Sequence, residues 1–165
     1  MTYERPEMVG AVTQPITLTG SVETMSVPLQ PPSGPAAAKM SAGAAGGKTY
    51  LKIENVMSEK SHVTYEIYVN LPEGADAAAY KEHYAGTMPL FGVVHASKKT
   101  DQHEGNGLSF SLDITDVANR LKEKNAWDDR NIKLTFVPRR QGGTAGAAVP
   151  GHHPIRVGRV SLYRA

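Results

Sequence analysis

His62-Val63-Thr64-Tyr65-Glu66-Ile67-Tyr68-Val69 is the stretch on which the fold reading turns. Val63, Tyr65, Ile67 and Val69 fall on one side of it, and His62, Thr64, Glu66 and Tyr68 on the other. Successive side chains of an extended strand point to opposite faces, so a period of two sets one apolar row against a core and one polar row towards water. Just upstream, Tyr50, Leu51, Ile53 and Val56 form another β-prone run. The turn-like Met57-Ser58-Glu59-Lys60-Ser61 joins the two, and together they read as an antiparallel hairpin.

The same alternation recurs outward in both directions. Leu108, Phe110 and Leu112 form one such run, Ile132, Leu134 and Phe136 another that stops at Pro138, and Ile155, Val157, Val160 and Leu162 a closing strand. Before them, Ile16-Thr17-Leu18-Thr19 and Val22 to Leu29 predict one or two short strands. Tyr84 to Val94 is β-prone but interrupted by Gly86, Pro89 and Gly92, which suits a bulge or a projecting tip better than a regular central strand. Ala96 to Gly107 reads as a polar hairpin loop, and the Ala-rich end of Asn70 to Ala79 as a loop able to turn once as helix. Asp113 or Thr115 caps a short helix running to about Lys124, with Val117 and Leu121 on one face. Seven or eight short strands with one short α-helix predict a mainly β fold, an antiparallel β-sandwich of Greek-key or jelly-roll-like type.

Three segments follow from composition along the chain. Residues 1–29 form a junction with the early strands, and residues 48–165 the sandwich. Residues 30–47, QPPSGPAAAKMSAGAAGG, form a Pro/Ala/Gly-rich linker or mobile loop with too little apolar side chain to build a core. A second Gly/Ala-rich loop runs from Arg139 to Pro154.

The 165 residues suffice for one domain with a real core. An apolar fraction of 40%, with 16 glycines and 11 prolines, favours sheet and loop over packed helices. A formal charge of +2, with acidic and basic residues interleaved, offers no basic stripe for nucleic acid. The lack of cysteine excludes disulfides, thiolate metal sites and thiol nucleophiles. No apolar run approaches the roughly 18 residues of a membrane helix, and the polar N-terminus carries no signal-peptide pattern, so a soluble chain is expected. The opening Met1-Thr2-Tyr3-Glu4-Arg5-Pro6-Glu7 starts abruptly, as though cut from a longer chain.

The search for chemistry returns no catalytic or metal-binding set. His62, His83, His95, His103, His152 and His153 show neither the i, i+4 spacing of a helical metal site nor a His-x-His pair on a strand. His152-His153 is at most an adventitious metal ligand. Asp128-Asp129 reads as a helix terminator, and Gly105-Asn106-Gly107 and Gly142-Gly143 as turns. One segment stands out physically: in Gly86-Thr87-Met88-Pro89-Leu90-Phe91-Gly92, three large apolar side chains are packed between glycines around a proline. Either they are core residues of a strand, or the stiffened tip presents one of them to a partner.

Ala85-Gly86-Thr87 through Val94-His95, Leu108-Ser109-Phe110-Ser111-Leu112-Asp113-Ile114-Thr115-Asp116 and Ile132-Lys133-Leu134-Thr135-Phe136-Val137-Pro138-Arg139 closely resemble the C-terminal domain of plant polyphenol oxidases and related bacterial tyrosinases. Val157-Gly158-Arg159-Val160-Ser161-Leu162 resembles its last strand, while Arg5 to Ala11 and Pro15 to Gly20 look like the junction just past the copper-binding domain. The resemblance implies a non-catalytic lid: in that family a separate helical domain holds two copper ions and oxidises phenols, and the β-sandwich covers it and keeps the enzyme latent. It implies that domain as partner, with copper in the parent enzyme and no cofactor here. Family lids insert one side chain into the mouth of the copper site. The candidates are Phe91 first, then Leu90 and Met88. Cleavage within the Ala/Gly-rich linker is then expected to release the lid. Two other roles compete: copper delivery or folding assistance for the same oxidase, or a free-standing β-sandwich binding module.

Overall fold

The structure is a computed structural model, and it describes residues 5–30, 47–60, 63–102, 104–140 and 153–165. Among the described residues the chain forms nine strands: β1 (Glu7–Val12), β2 (Ile16–Leu18), β3 (Glu23–Pro28), β4 (Thr49–Met57), β5 (Val63–Val69), β6 (Tyr84–Met88), β7 (Leu108–Asp113), β8 (Asn131–Arg140) and β9 (Ile155–Arg164). Two short α-helices, α1 (Val93–Ala96) and α2 (Thr115–Glu123), and two 3-10 turns, Ala77–Ala79 and Lys81–His83, complete it. All strand pairs are antiparallel, in two sheets. One runs β1-β9-β4-β7, with β2 also pairing β9, and the other β3-β8-β5-β6. The mainly β sandwich expected from the alternation is the observed architecture.

The core lies between the inner rows of the two sheets. Leu51, Ile53, Val160 and Leu162 face Tyr65, Ile67, Leu134 and Phe136, all buried in one cluster. α2 closes one end with Val117 and Leu121. Its N-cap is Ile114, without a side-chain cap bond, rather than Asp113 or Thr115; just ahead of the helix the Asp113 carboxylate accepts the Thr115 N–H at 3.0 Å, and the Thr115 hydroxyl accepts the Thr49 N–H at 3.0 Å.

Three expectations need correction. The runs 50–56 and 62–69 do not form a hairpin: β4 pairs with β7 and β9, whereas β5 pairs with β6 and β8 in the other sheet. Alternation fixes which face of a strand is buried, not which strand lies beside it; here the two apolar rows meet across the core. Likewise β6 and β7, on either side of the 96–107 loop, lie in different sheets, so that loop is not a hairpin turn. Finally, strand in the 84–94 region ends at Met88, and Val93–Ala96 is helical.

Residues 1–29 are more than a junction. β1 and β2 pair with β9, and β3 pairs with β8. Val9, Leu18, Val27 and Leu29 are buried in the main core. Each such side chain stabilises the fold by about 2 kcal/mol. The sandwich therefore extends beyond residues 48–165. The linker segment falls largely on residues 31–46, outside the described residues.

The polar row of β5 is not wholly solvated either. Glu66 and Tyr68 are buried, because the chain after β5 folds back over that face and packs Leu71 and Ala77 on Tyr68 and Val137. The Tyr68 hydroxyl donates to Glu66 Oε2 at 2.8 Å, and Arg139 Nη1 donates to Glu66 Oε1 at 2.8 Å, so the buried carboxylate is satisfied.

Candidate functional site

The segment after β6 is built as a fastened corner. Val93 N–H donates to the Leu90 carbonyl at 3.2 Å, and Gly92 sits at φ 79°, ψ 0°. That is the third position of a type II turn, which requires a positive φ and so favours glycine. A side chain added at Gly92 would meet nothing within 4 Å, so the backbone conformation, not space, explains the glycine. Phe91 is the second residue of this turn, at its outer corner.

Beyond the corner the chain is tied down on both sides. Ser97 N–H and Oγ both donate to the Val93 carbonyl, at 2.9 and 2.6 Å. The Ser58 N–H at the end of β4 donates to Ser97 Oγ at 3.0 Å, and Gly107 N–H donates to the Ala96 carbonyl at 2.9 Å. The tip is thus clamped to the end of the sandwich.

The three candidate side chains part company here. Met88 is 0% exposed, Leu90 5% and Phe91 97%. Met88 and Leu90 belong to the core cluster, as does Val93 just beyond the turn. They cannot be presented to a partner without opening the sandwich, and as projecting side chains they are corrected to core residues. Among the described residues, the other exposed large hydrophobics, Met8, Val22 and Tyr84, reach at most 48%. Phe91 is therefore the large apolar side chain that folding leaves most fully in water among the described residues.

The tip also has a defined place relative to the start of the chain. Along the β4–β9 pair, Met57 lies opposite Arg156 at the end carrying α1 and the tip, and Thr49 lies opposite Arg164 at the other. Glu7 also pairs with Arg164. With about 3.3 Å per residue along β9, the entry of the chain and Phe91 sit at opposite poles, on the order of 30 Å apart.

The remaining polar candidates do structural work. His83 is buried, with Nδ1 2.8 Å from the Val69 carbonyl oxygen. His95 and His153 are exposed, and His62, His103 and His152 lie outside the described residues. Asp128 Oδ1 accepts the Arg130 N–H at 2.8 Å, and Asp129 Oδ1 accepts from Trp127 Nε1 at 3.1 Å and from Arg164 Nη2 at 3.4 Å. Sequence reasoning missed this corner, where Lys122 and Arg164 both lie over the Trp127 ring, at 5.6 and 5.8 Å. It also missed Tyr65, which spans the core to accept the Gly20 N–H at 3.1 Å and whose phenol burial pushes up to about 12. Among the described residues no three His, Cys, Asp or Glu side chains converge to hold a metal ion. Among them also, no helix is long and apolar enough to cross a membrane.

Residues 5–165 match the family described as "Domain of unknown function (DUF7868)". The chain belongs to that family. This DUF7868 domain is similar to a tyrosinase of Hahella sp. (strain CCB-MM4), at 26% identity over 160 residues, 95% of this chain and 32% of that protein. The chain thus spans about a third of the length of the curated relative it matches. Recombinantly expressed latent aurone synthase, a polyphenol oxidase, superposes with a TM-score of 0.51 at 14% identity, over 91% of this chain and 25% of that one. That likeness speaks for the fold alone. Latent apple tyrosinase gives a TM-score of 0.48 at 22% identity, over 92% of this chain and 27% of that one. The resemblance to the tyrosinase and polyphenol oxidase family read from the strand motifs therefore stands, and the likeness is to a part of a longer protein.

Proposed function

We propose that this domain is the lid of a tyrosinase or polyphenol oxidase, covering the dicopper site of a catalytic domain and keeping the phenol-oxidising enzyme latent. Phe91 carries the reading: its ring, 97% exposed on a fastened turn, enters the mouth of the substrate cavity. The similarity to a tyrosinase over 95% of the chain supports the choice of partner. The copper ions belong to the other domain, and this chain supplies no catalytic residue.

The mechanism is steric. Removing a Phe ring from water is worth about 4 kcal/mol at most, a weak plug between separate molecules. A covalent tether raises the effective concentration to the order of millimolar, and contacts around the tip add the rest.

A cut introduced between the catalytic domain and Glu7 of the parent enzyme tests the assignment. Phenol oxidation is expected to rise many-fold once the lid diffuses away. Equal rates before and after the cut would remove the latency role.

A further inference from the structure

The linker between β3 and β4 joins two parts of one sandwich rather than two domains. β3 is an edge strand of one sheet, and β4 is an interior strand of the other. The three strands ahead of the linker make their sheet pairs with β8 and β9, which lie far downstream in the sequence. β1 and β3 also meet each other: Gly10 bridges Leu29, and Gln30 N–H donates to the Val9 carbonyl at 2.7 Å. Leu29 N–H donates to the Arg130 carbonyl at 2.8 Å, and the Gly20 N–H reaches the Tyr65 hydroxyl inside the fold. Without these strands one long edge of β8 and one of β9 would be bare, and sheets avoid exposing such edges.

We infer that residues 5–30 are a three-strand clasp that stays seated in the 47–165 body when the chain is cut within 31–46. Each piece completes the other's hydrogen-bond ladders and core, so a cut in the segment joining them leaves these contacts in place. Where the clasp is joined to a preceding domain, as the lid reading has it, such a cut leaves that domain holding its lid. Cleavage in the Ala/Gly-rich segment, the release route expected from the family resemblance, does not free the lid; a break ahead of Glu7 does. The clasp itself rests on the fold, and the regulatory consequence rests on the lid reading.

The test places a sequence-specific protease site within residues 31–46 of this chain, in two versions at different positions, and cuts the folded protein. Size-exclusion chromatography with native mass spectrometry should show one species containing both pieces in equal number. Cut chain carrying Leu18→Ala should come apart on dilution at roughly 100-fold higher concentration. Separate elution of the pieces from both versions overturns the inference. In the parent enzyme, the 31–46 cut should leave phenol oxidation low and a cut ahead of Glu7 should raise it. A rise from the 31–46 cut alone also overturns the inference. If the pieces stay together and neither cut changes the rate, the clasp stands and the lid reading fails.

Discussion

Leu90 and Phe91 are adjacent in the chain and opposite in environment. Leu90 turns into the core and is 5% exposed, while Phe91 stands out at 97%. A type II turn closed from Leu90 to Val93 separates them. Leu90→Ala should therefore cost about 2–4 kcal/mol of stability, the range for a buried leucine truncated to alanine. Phe91→Ala should stay within about 0.5 kcal/mol, as exposed substitutions do. Urea denaturation of the two variants checks this difference directly. Near-equal costs would mean that Phe91 is packed.

The turn itself makes a second prediction. Gly92→Ala forces a side chain into the left-handed region and should cost about 1 kcal/mol, whereas Gly92→Asn should be milder because asparagine tolerates that conformation. On the proposed lid reading, in which the turn aims Phe91, Gly92→Ala in the parent enzyme should also weaken latency by more than its small thermal shift suggests. Melting temperature and uncut activity, measured side by side, separate the two effects.

Alkaline pH should loosen the fold in a defined window. Burial raises the Tyr65 phenol from 10.0 to about 12, and Tyr68 is raised too, by burial and then by its bond to Glu66. The folded state favours the neutral phenols. Their contribution is fully present below pH 10 and is lost as pH rises through the folded values, because the unfolded chain releases those protons first. Melting temperatures followed from pH 8 upward, with tyrosinate absorbance as the companion readout, should fall above about pH 10. A flat profile beyond pH 11 would contradict the burial of these phenols.

Much of this was legible in the alternation. Leu108-Phe110-Leu112, Ile132-Leu134-Phe136 and Val63-Tyr65-Ile67 announced strands with one buried face, and the glycines and proline around Met88 to Gly92 announced a corner. The alternation was silent on partners in the sheet, because pairing depends on contacts far apart in sequence. Hence the hairpin expected from residues 50–69 became two strands in different sheets. It was equally silent on the buried outer row of β5, since the cover over Glu66 and Tyr68 comes from an irregular segment with no period to read. At the tip, composition left Met88, Leu90 and Phe91 open and the family resemblance put Phe91 first; the turn geometry shows that Phe91 is the exposed one and the other two are core residues.

The contact between β1 and β3 gives a prediction that spares the tip. A side chain at Gly10 would lie 2.5 Å from the Pro28 carbonyl oxygen and 2.7 Å from Leu29 Cδ2. Gly10→Ala must push the two strands apart and should destabilise by about 1–3 kcal/mol. Hydrogen exchange should quicken first in residues 7–28 and in the β8 and β9 amides bonded to them, with β4 and β5, which pair only with strands of the body, still protected. Uniform quickening across all strands would show that the clasp does not open by itself.

The most direct test of the account is the uncut parent enzyme carrying Phe91→Ala, its phenol oxidation compared with that of the uncut wild type under the same conditions. On the proposed lid reading the exposed ring is the plug, so activity should rise at least tenfold, about 1.4 kcal/mol or more of lost inhibition, with stability within about 0.5 kcal/mol of wild type. Activity that stays at the latent level, in a protein as stable as the wild type, would contradict it.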